Sequence, residues 1–227
     1  MEFKLDDDYF IKRINESVAS YPWPPSRMKQ CLDVGGNVGA FSLLVSEYCD
    51  QVISFEPYKP NYDFMNNKIK ELGITNIVTY NKALHNTHNI DLTMTVLKEG
   101  TDSKDISTTK HSHGKTVKLG NTKTFGVSNL MEQYSEIDYM KVDCEGCEYD
   151  ILMNQDLSKV KILVLEIHGG YIGNDKTTEL LDYLKSQFPN YNVRELNEFY
   201  VFTSSHFSTK EGGTMLMDDD GMVQGHS

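Results

Sequence analysis

Leu32-Asp33-Val34-Gly35-Gly36-Asn37-Val38-Gly39-Ala40-Phe41 reads as a strand ending on an acid, a tight glycine turn and the start of a helix. That order is the layout of a nucleotide-type cofactor site, where a strand delivers the chain to a turn and a helix N-terminus beside the ligand. Glycines 35, 36 and 39 permit backbone angles that other residues resist and let main chain approach closely. Around this stretch, apolar runs alternate with helical patterns over residues 31–34, 41–48, 51–55, 62–72 and 77–81. Such βαβαβ order predicts an α/β, doubly wound parallel sheet with right-handed crossovers and helices on both faces.

Further along, residues 92–96 read as a strand and 98–124 as a polar excursion or lid, rich in Thr, Lys, Ser and Gly and without an apolar period. His111 and His113 within it form an H-x-H pair, read as solvated side chains ahead of a metal site. Helices follow at 127–134, 149–153 and 177–187, buried strands at 139–142 and 162–167, and a closing strand pair at 192–196 and 199–202. Ahead of the domain, residues 3–20 suit an amphipathic helix, and Tyr21-Pro22-Trp23-Pro24-Pro25 is an extended connector that packs on the core edge or lines a pocket. The organisation expected is therefore a helix and Pro-rich connector at 1–29, one domain at 30–204 and a C-terminal tail, flexible or folded back, at 205–227.

With 227 residues the chain can bury a core without disulfides or a structural metal. Its net charge of −11 and pI near 5.0 argue against nucleic acid or an anionic membrane as partner, because both need clustered Lys and Arg. No signal-peptide-like segment or membrane-length apolar run is visible, so a cytoplasmic protein without membrane insertion is expected. The cysteines Cys31, Cys49, Cys144 and Cys147 are too few and scattered for a secreted disulfide framework, and reduced thiols are expected. Cys144 and Cys147 have C-x-x-C spacing, but zinc needs a second ligand pair and none is evident.

Three further constellations carry chemistry. Val52-Ile53-Ser54-Phe55-Glu56-Pro57 ends a strand on an acid roughly 20 residues after the glycine turn, the spacing of a ribose-reading carboxylate. The turn itself is G-G-N-x-G and not G-x-G-x-x-G, which serves a pyrophosphate poorly. Asp33 would repel phosphates and attract a cation, unless it caps the following helix. Both features favour S-adenosylmethionine, which offers an ammonium, a sulfonium and a ribose without phosphates. Asp143 and Glu145, from Asp138-Tyr139-Met140-Lys141-Val142-Asp143-Cys144-Glu145-Gly146-Cys147-Glu148, and Glu166 and His168, from Leu165-Glu166-Ile167-His168-Gly169, stand where two buried strands open toward the ligand crevice.

On these motifs, with Asn81-Lys82-Ala83-Leu84, the sequence over residues 30–203 resembles the FkbM-type family of class I S-adenosylmethionine-dependent methyltransferases. The resemblance implies a Rossmann-like, seven-stranded, mostly parallel sheet with an antiparallel last strand. It implies that Asp33, Gly35, Asn37 and Gly39 surround the methionine part of the cofactor and that Glu56 meets its ribose, with Gly36, Phe41 and Pro57 also in the cofactor site. Asn81, Lys82 and Ala83 would lie near the adenine, and Asp143 near the methyl group. It also implies O-methylation, often of a sugar or glycan hydroxyl, so the expected partner is a small-molecule or carbohydrate acceptor.

A hydroxyl must lose its proton as the new bond forms, so Asp143 is the expected general base and His168 its rival. Lys141 would steady the oxyanion or form a salt bridge to Asp143 or Glu166. A divalent metal held by Asp143, Glu145, Glu166 and His168 is a less favoured alternative. Tyr58, Tyr171 and Tyr21 could stack on a sugar face or belong to ordinary packing. Two other functions fit the glycine turn and distant acid: a nicotinamide-dependent oxidoreductase or epimerase, and a non-catalytic cofactor-binding scaffold. Acceptor identity and oligomeric state are open at this level.

Overall fold

In the computed structural model of the chain, residues 6–22, 27–97, 116–188, 190–193 and 199–204 are described. They run through α1 (Asp7–Ser20), β1 (Met28–Val34), α2 (Ala40–Val45), β2 (Cys49–Phe55), α3 (Lys59–Glu71) and β3 (Ile77–Tyr80). Next come β4 (Ala83–His85), β5 (Asp91–Leu97), β6 (Thr116–Gly126), α4 (Val127–Gln133), β7 (Ile137–Val142) and α5 (Glu148–Leu152). The chain closes with β8 (Val160–Glu166), α6 (Gly169–Ile172), α7 (Asn174–Gln187), β9 (Asn190–Val193) and β10 (Phe199–Thr203).

Seven strands form one sheet in the order β3-β2-β1-β7-β8-β10-β9. The first five are parallel; β10 is antiparallel to β8, and β9 to β10. Strand order reverses between β1 and β7, so the crevice opens at their carboxyl ends. Alternate strand residues face opposite sides, and both sides are apolar because helices cover both. Leu32, Val34, Ile53, Phe55, Met140, Val142, Leu163 and Leu165 belong to one core, and Cys31, Val52, Tyr139, Ile162 and Val164 to the other.

Two sequence expectations need correction. The polar run at 98–124 is not wholly an excursion: from Thr116 it is β6, paired antiparallel with β5 and parallel with β4 in a separate three-stranded sheet. Its Lys and Thr side chains hide the strand pattern because the hairpin is solvated; Lys118 and Lys123 are exposed, while Thr122 and Thr124 are buried. Reduced thiols are also contradicted at Cys31 and Cys49, which lie on neighbouring strands and are joined in a disulfide, whereas Cys144 and Cys147 are free. His111, His113, Trp23 and the tail from 205 fall outside the described residues. No described helix is long and apolar enough to cross a membrane.

Candidate active site

The glycine turn leaves β1 with Gly35 at φ +82° and Asn37 at φ +51°, while the Gly35 and Gly36 amides both donate to the Phe55 carbonyl at 3.0 and 2.9 Å. A Cβ on Gly35 would stand 1.8 Å from the Asp143 carbonyl oxygen, so the close approach this glycine allows is between the ends of β1 and β7. Gly36 and Gly39 pack on Ser54 and Met65 in the same manner. An open cleft follows the strand ends. Of the expected site residues, Gly35, Asn37, Glu56, Pro57, Ala83, Asp143 and Glu145 line it.

Glu56 accepts the Asn37 amide on one oxygen and the Tyr58 amide on the other, each at 2.7 Å. Its burial raises the carboxyl pKa to about 8 against those two hydrogen bonds. Asn81 acts at one remove, donating to the Glu56 and Pro57 carbonyls at 2.9 and 3.0 Å and so fixing the end of β2. Lys82 sits over the Phe125 ring, and Phe41 packs edge-on against Tyr21. Asn61, on the first turn of α3, also lines the cleft; it is 1% exposed and its Oδ1 has no hydrogen-bond partner. Sequence gave no signal for Asn61.

Asp33 is fully buried and does not line the cleft. The cation it meets is internal: Lys141 Nζ lies 3.1 Å from one oxygen, and Ser42 donates to the other at 2.6 Å. Asp33 and Lys141 are direct partners across β1 and β7, which explains the pairing. Lys141 also donates to the Gly35 carbonyl at 3.1 Å and lies 3.6 Å from Asp143. Burial alone would lower the Lys141 pKa, but Asp33 and Asp143 outweigh it and raise it. Lys141 is thus committed to the framework and is not free to serve an oxyanion. Replacing Lys141 with Met should cost about 3–5 kcal/mol by stranding the Asp33 carboxylate, read as a lowered urea midpoint. The double variant Asp33→Asn/Lys141→Met should recover most of that loss; equal destabilisation by both would refute the coupling.

Asp143 receives a hydrogen bond from the Tyr21 hydroxyl, whose ring is buried edge-on against Phe41 and Phe199 and lies beneath Lys141. Burial pushes the Asp143 pKa upward, yet Lys141, His168, Tyr21 and Arg13 together hold it below the ordinary value. His168 Nδ1 lies 2.7 Å from Glu148, and its Nε2 lies 3.3 Å from Glu145, 3.9 Å from Glu166 and 4.0 Å from Asp143. Burial would lower its pKa, but the Glu148 hydrogen bond and the surrounding carboxylates raise it to about 10. An imidazolium has no lone pair to accept a proton, which weighs against His168 as the base. Burial and the Asp143 charge raise Glu166 to about 7.

Asp143, Glu145 and His168 place ligand atoms within 4.8 Å of one another, with Glu166 outside that trio. Acids gathered on an imidazolium would give the same arrangement, and among the described residues no other group of three His, Cys, Asp or Glu side chains comes as close together. Asp138, from the motif preceding Asp143, is architectural: it accepts the Lys29 and Gln30 amides at 2.8 and 3.0 Å and pairs with Lys161. Burial lifts the Cys144 thiol pKa well above its usual value, so this C-x-x-C is not a reactive thiolate pair.

The model of the methyltransferase FkbM domain matches residues 33–193, well over half of the chain. The chain belongs to the FkbM methyltransferase family. The FkbM methyltransferase of Methylobacillus flagellatus KT superposes with a TM-score of 0.54 at 14% identity, covering 88% of this chain and 56% of that one. This FkbM domain therefore spans little more than half of that protein, and the likeness speaks for the fold alone. Precorrin-6y C5,15-methyltransferase of Geobacter metallireducens gives a TM-score of 0.46 at 12% identity, covering 88% and 95%, and carries no functional weight. No curated protein matches the sequence.

Proposed function

We propose that this FkbM domain transfers the methyl group of S-adenosylmethionine to a hydroxyl of a sugar or glycan. The carrying observation is the lining of the cleft: among its described residues the carboxyl groups of Asp143, Glu145 and Glu56, the last with its pKa raised to about 8, meet a single Lys or Arg side chain, Arg13. Such a lining suits a cationic, phosphate-free ligand and opposes the pyrophosphate of a nicotinamide cofactor. The unpartnered Asn61 Oδ1 in the same cleft supports the same fit, since a buried acceptor without a donor costs about 1–3 kcal/mol until a ligand hydroxyl or ammonium supplies one.

When bound, the cofactor supplies an electrophilic methyl carbon whose bond to sulfur breaks as the bond to the acceptor oxygen forms. The chain's part is alignment and proton removal. Gly35, Asn37 and Glu56 hold the donor side, and Asp143 at the end of β7 takes the hydroxyl proton. Tyr21 and Lys141 fix the Asp143 carboxylate, and the His168 imidazolium keeps it ionised. Tyr171, half-buried and stacked on His168 with centroids 5.8 Å apart, offers an aromatic face for a sugar. Tyr21 is spent on Asp143 and Tyr58 holds Glu56 through its amide.

Incubation with S-adenosylmethionine and a panel of free and oligomeric deoxysugars, followed by mass spectrometry, should show a one-methyl gain that survives exhaustive chelation. Loss of activity on chelation would restore the metal reading. Calorimetry should show binding of S-adenosylhomocysteine and none of NAD; the opposite pattern overturns the proposal.

A further inference from the structure

Arg13 stands apart from the rest of the cleft in charge and in origin. It comes from α1, outside the residues 33–193 that define the family match, and it lines the cleft together with Gly35, Asn37 and Asp143. Among the described lining residues it is the only cation, facing Glu56, Asp143 and Glu145. Two further cations stand outside the lining: Lys141, 3% exposed and engaged by Asp33, the Gly35 carbonyl and Asp143, and the His168 imidazolium, engaged by Glu148 and Glu145. A carboxylate entering this cleft would therefore meet Asp143 and Glu145, which the His168 imidazolium already holds, and one guanidinium in the lining itself.

The helix that carries Arg13 is anchored at both ends. The Asp6 carboxylate caps its first turn by accepting the Tyr9 amide at 2.9 Å. Asp7 pairs with Lys68 on α3 at 2.6 Å, and Phe10 packs on Phe64 of the same helix. Just past its C-terminus, Tyr21 donates to Asp143. Arg13 itself is steadied by Glu16, one turn along α1, on one guanidinium nitrogen. A guanidinium has five donors in a planar fork, so this pairing leaves an edge for a second carboxylate.

We propose that Arg13 binds the α-carboxylate of the amino-acid end of the cofactor, so that α1 completes the cofactor site. The assignment rests on the methyltransferase reading above. It places the amino-acid end of the cofactor at the glycine turn, where Gly35 and Asn37 share the lining with Arg13. A carboxylate on the acceptor would satisfy the same guanidinium, and the two sources are separable by experiment.

The test is calorimetric titration of wild type, Arg13→Met and Arg13→Lys with S-adenosylhomocysteine and with its analogue lacking the α-carboxyl group. Wild type should prefer the carboxylated ligand by about tenfold or more, as a charge-assisted pair warrants. Arg13→Met, which keeps the apolar stem, should lose about tenfold to a hundredfold on S-adenosylhomocysteine and change less than about twofold on the analogue. Arg13→Lys should fall between, because a point charge replaces the fork. Equal losses on both ligands would reduce Arg13 to a packing role, and unchanged affinity for S-adenosylhomocysteine would move the carboxylate to the acceptor; either overturns the proposal. If wild type binds neither ligand, the methyltransferase reading itself fails and takes this assignment with it.

Discussion

Asp143→Asn should lower turnover by about 10²–10⁴-fold while leaving affinity for S-adenosylhomocysteine within a few-fold of wild type. The amide oxygen can still accept the Tyr21 hydroxyl, and Lys141 keeps Asp33 and the Gly35 carbonyl, so the side chain should stay in place. What is lost is the negative charge and the capacity to take a proton. Single-turnover methyl transfer under saturating donor, set beside a binding isotherm, separates the two effects. Retained turnover would rule out Asp143 as the base and turn attention to Glu166, whose pKa of about 7 is better matched to neutral solution. A parallel collapse of affinity would make Asp143 a binding group.

Gly35→Ala should be the most damaging single methyl in the domain. Two penalties coincide: a φ of +82° that L residues rarely adopt, and a Cβ 1.8 Å from the Asp143 carbonyl oxygen and 2.9 Å from its carbon. Both offending atoms are main chain at the end of a buried strand, so no rotamer change relieves them. Separating the ends of β1 and β7 would break the Asp143 amide bond to the Val34 carbonyl, now 3.1 Å. A cost above about 4 kcal/mol is expected, a large share of what a domain of this kind possesses. Denaturant unfolding gives the measure: a midpoint within about 1 kcal/mol of wild type would show that the turn can relax.

The βαβ elements were legible because their apolar residues sit on strands covered from both sides, and period and length then identify strand and helix. Asp143, Glu56 and the glycine turn were legible for a related reason, since each stands where a strand pattern stops. Asp33 was read as facing a ligand because its partner lies 108 residues away; only the register of β1 against β7 brings Lys141 beside it. Arg13 gives no signal because it belongs to a segment that reads as an outer packing helix, and Tyr21, legible as a pocket-lining aromatic, turns out to hold Asp143 through its hydroxyl. The Cys31–Cys49 pair depends on the adjacency of β1 and β2, which cysteine spacing does not reveal. β6 was missed because alternation between polar residues leaves no hydrophobic period to detect.

Lys141 touches a carboxylate on either side, Asp33 at 3.1 Å and Asp143 at 3.6 Å, and so divides one positive charge between a residue no ligand reaches and the residue proposed to react. The two acids compete for it. The nearer Lys141 is drawn to Asp33, itself steadied by Ser42, the farther its charge stands from Asp143 and the less it depresses that residue's proton affinity. A residue hidden beneath the sheet's end thereby acts as a bias on the strength of the base above it, and drift at position 33 or 42 would retune the chemistry with the cleft unchanged in shape.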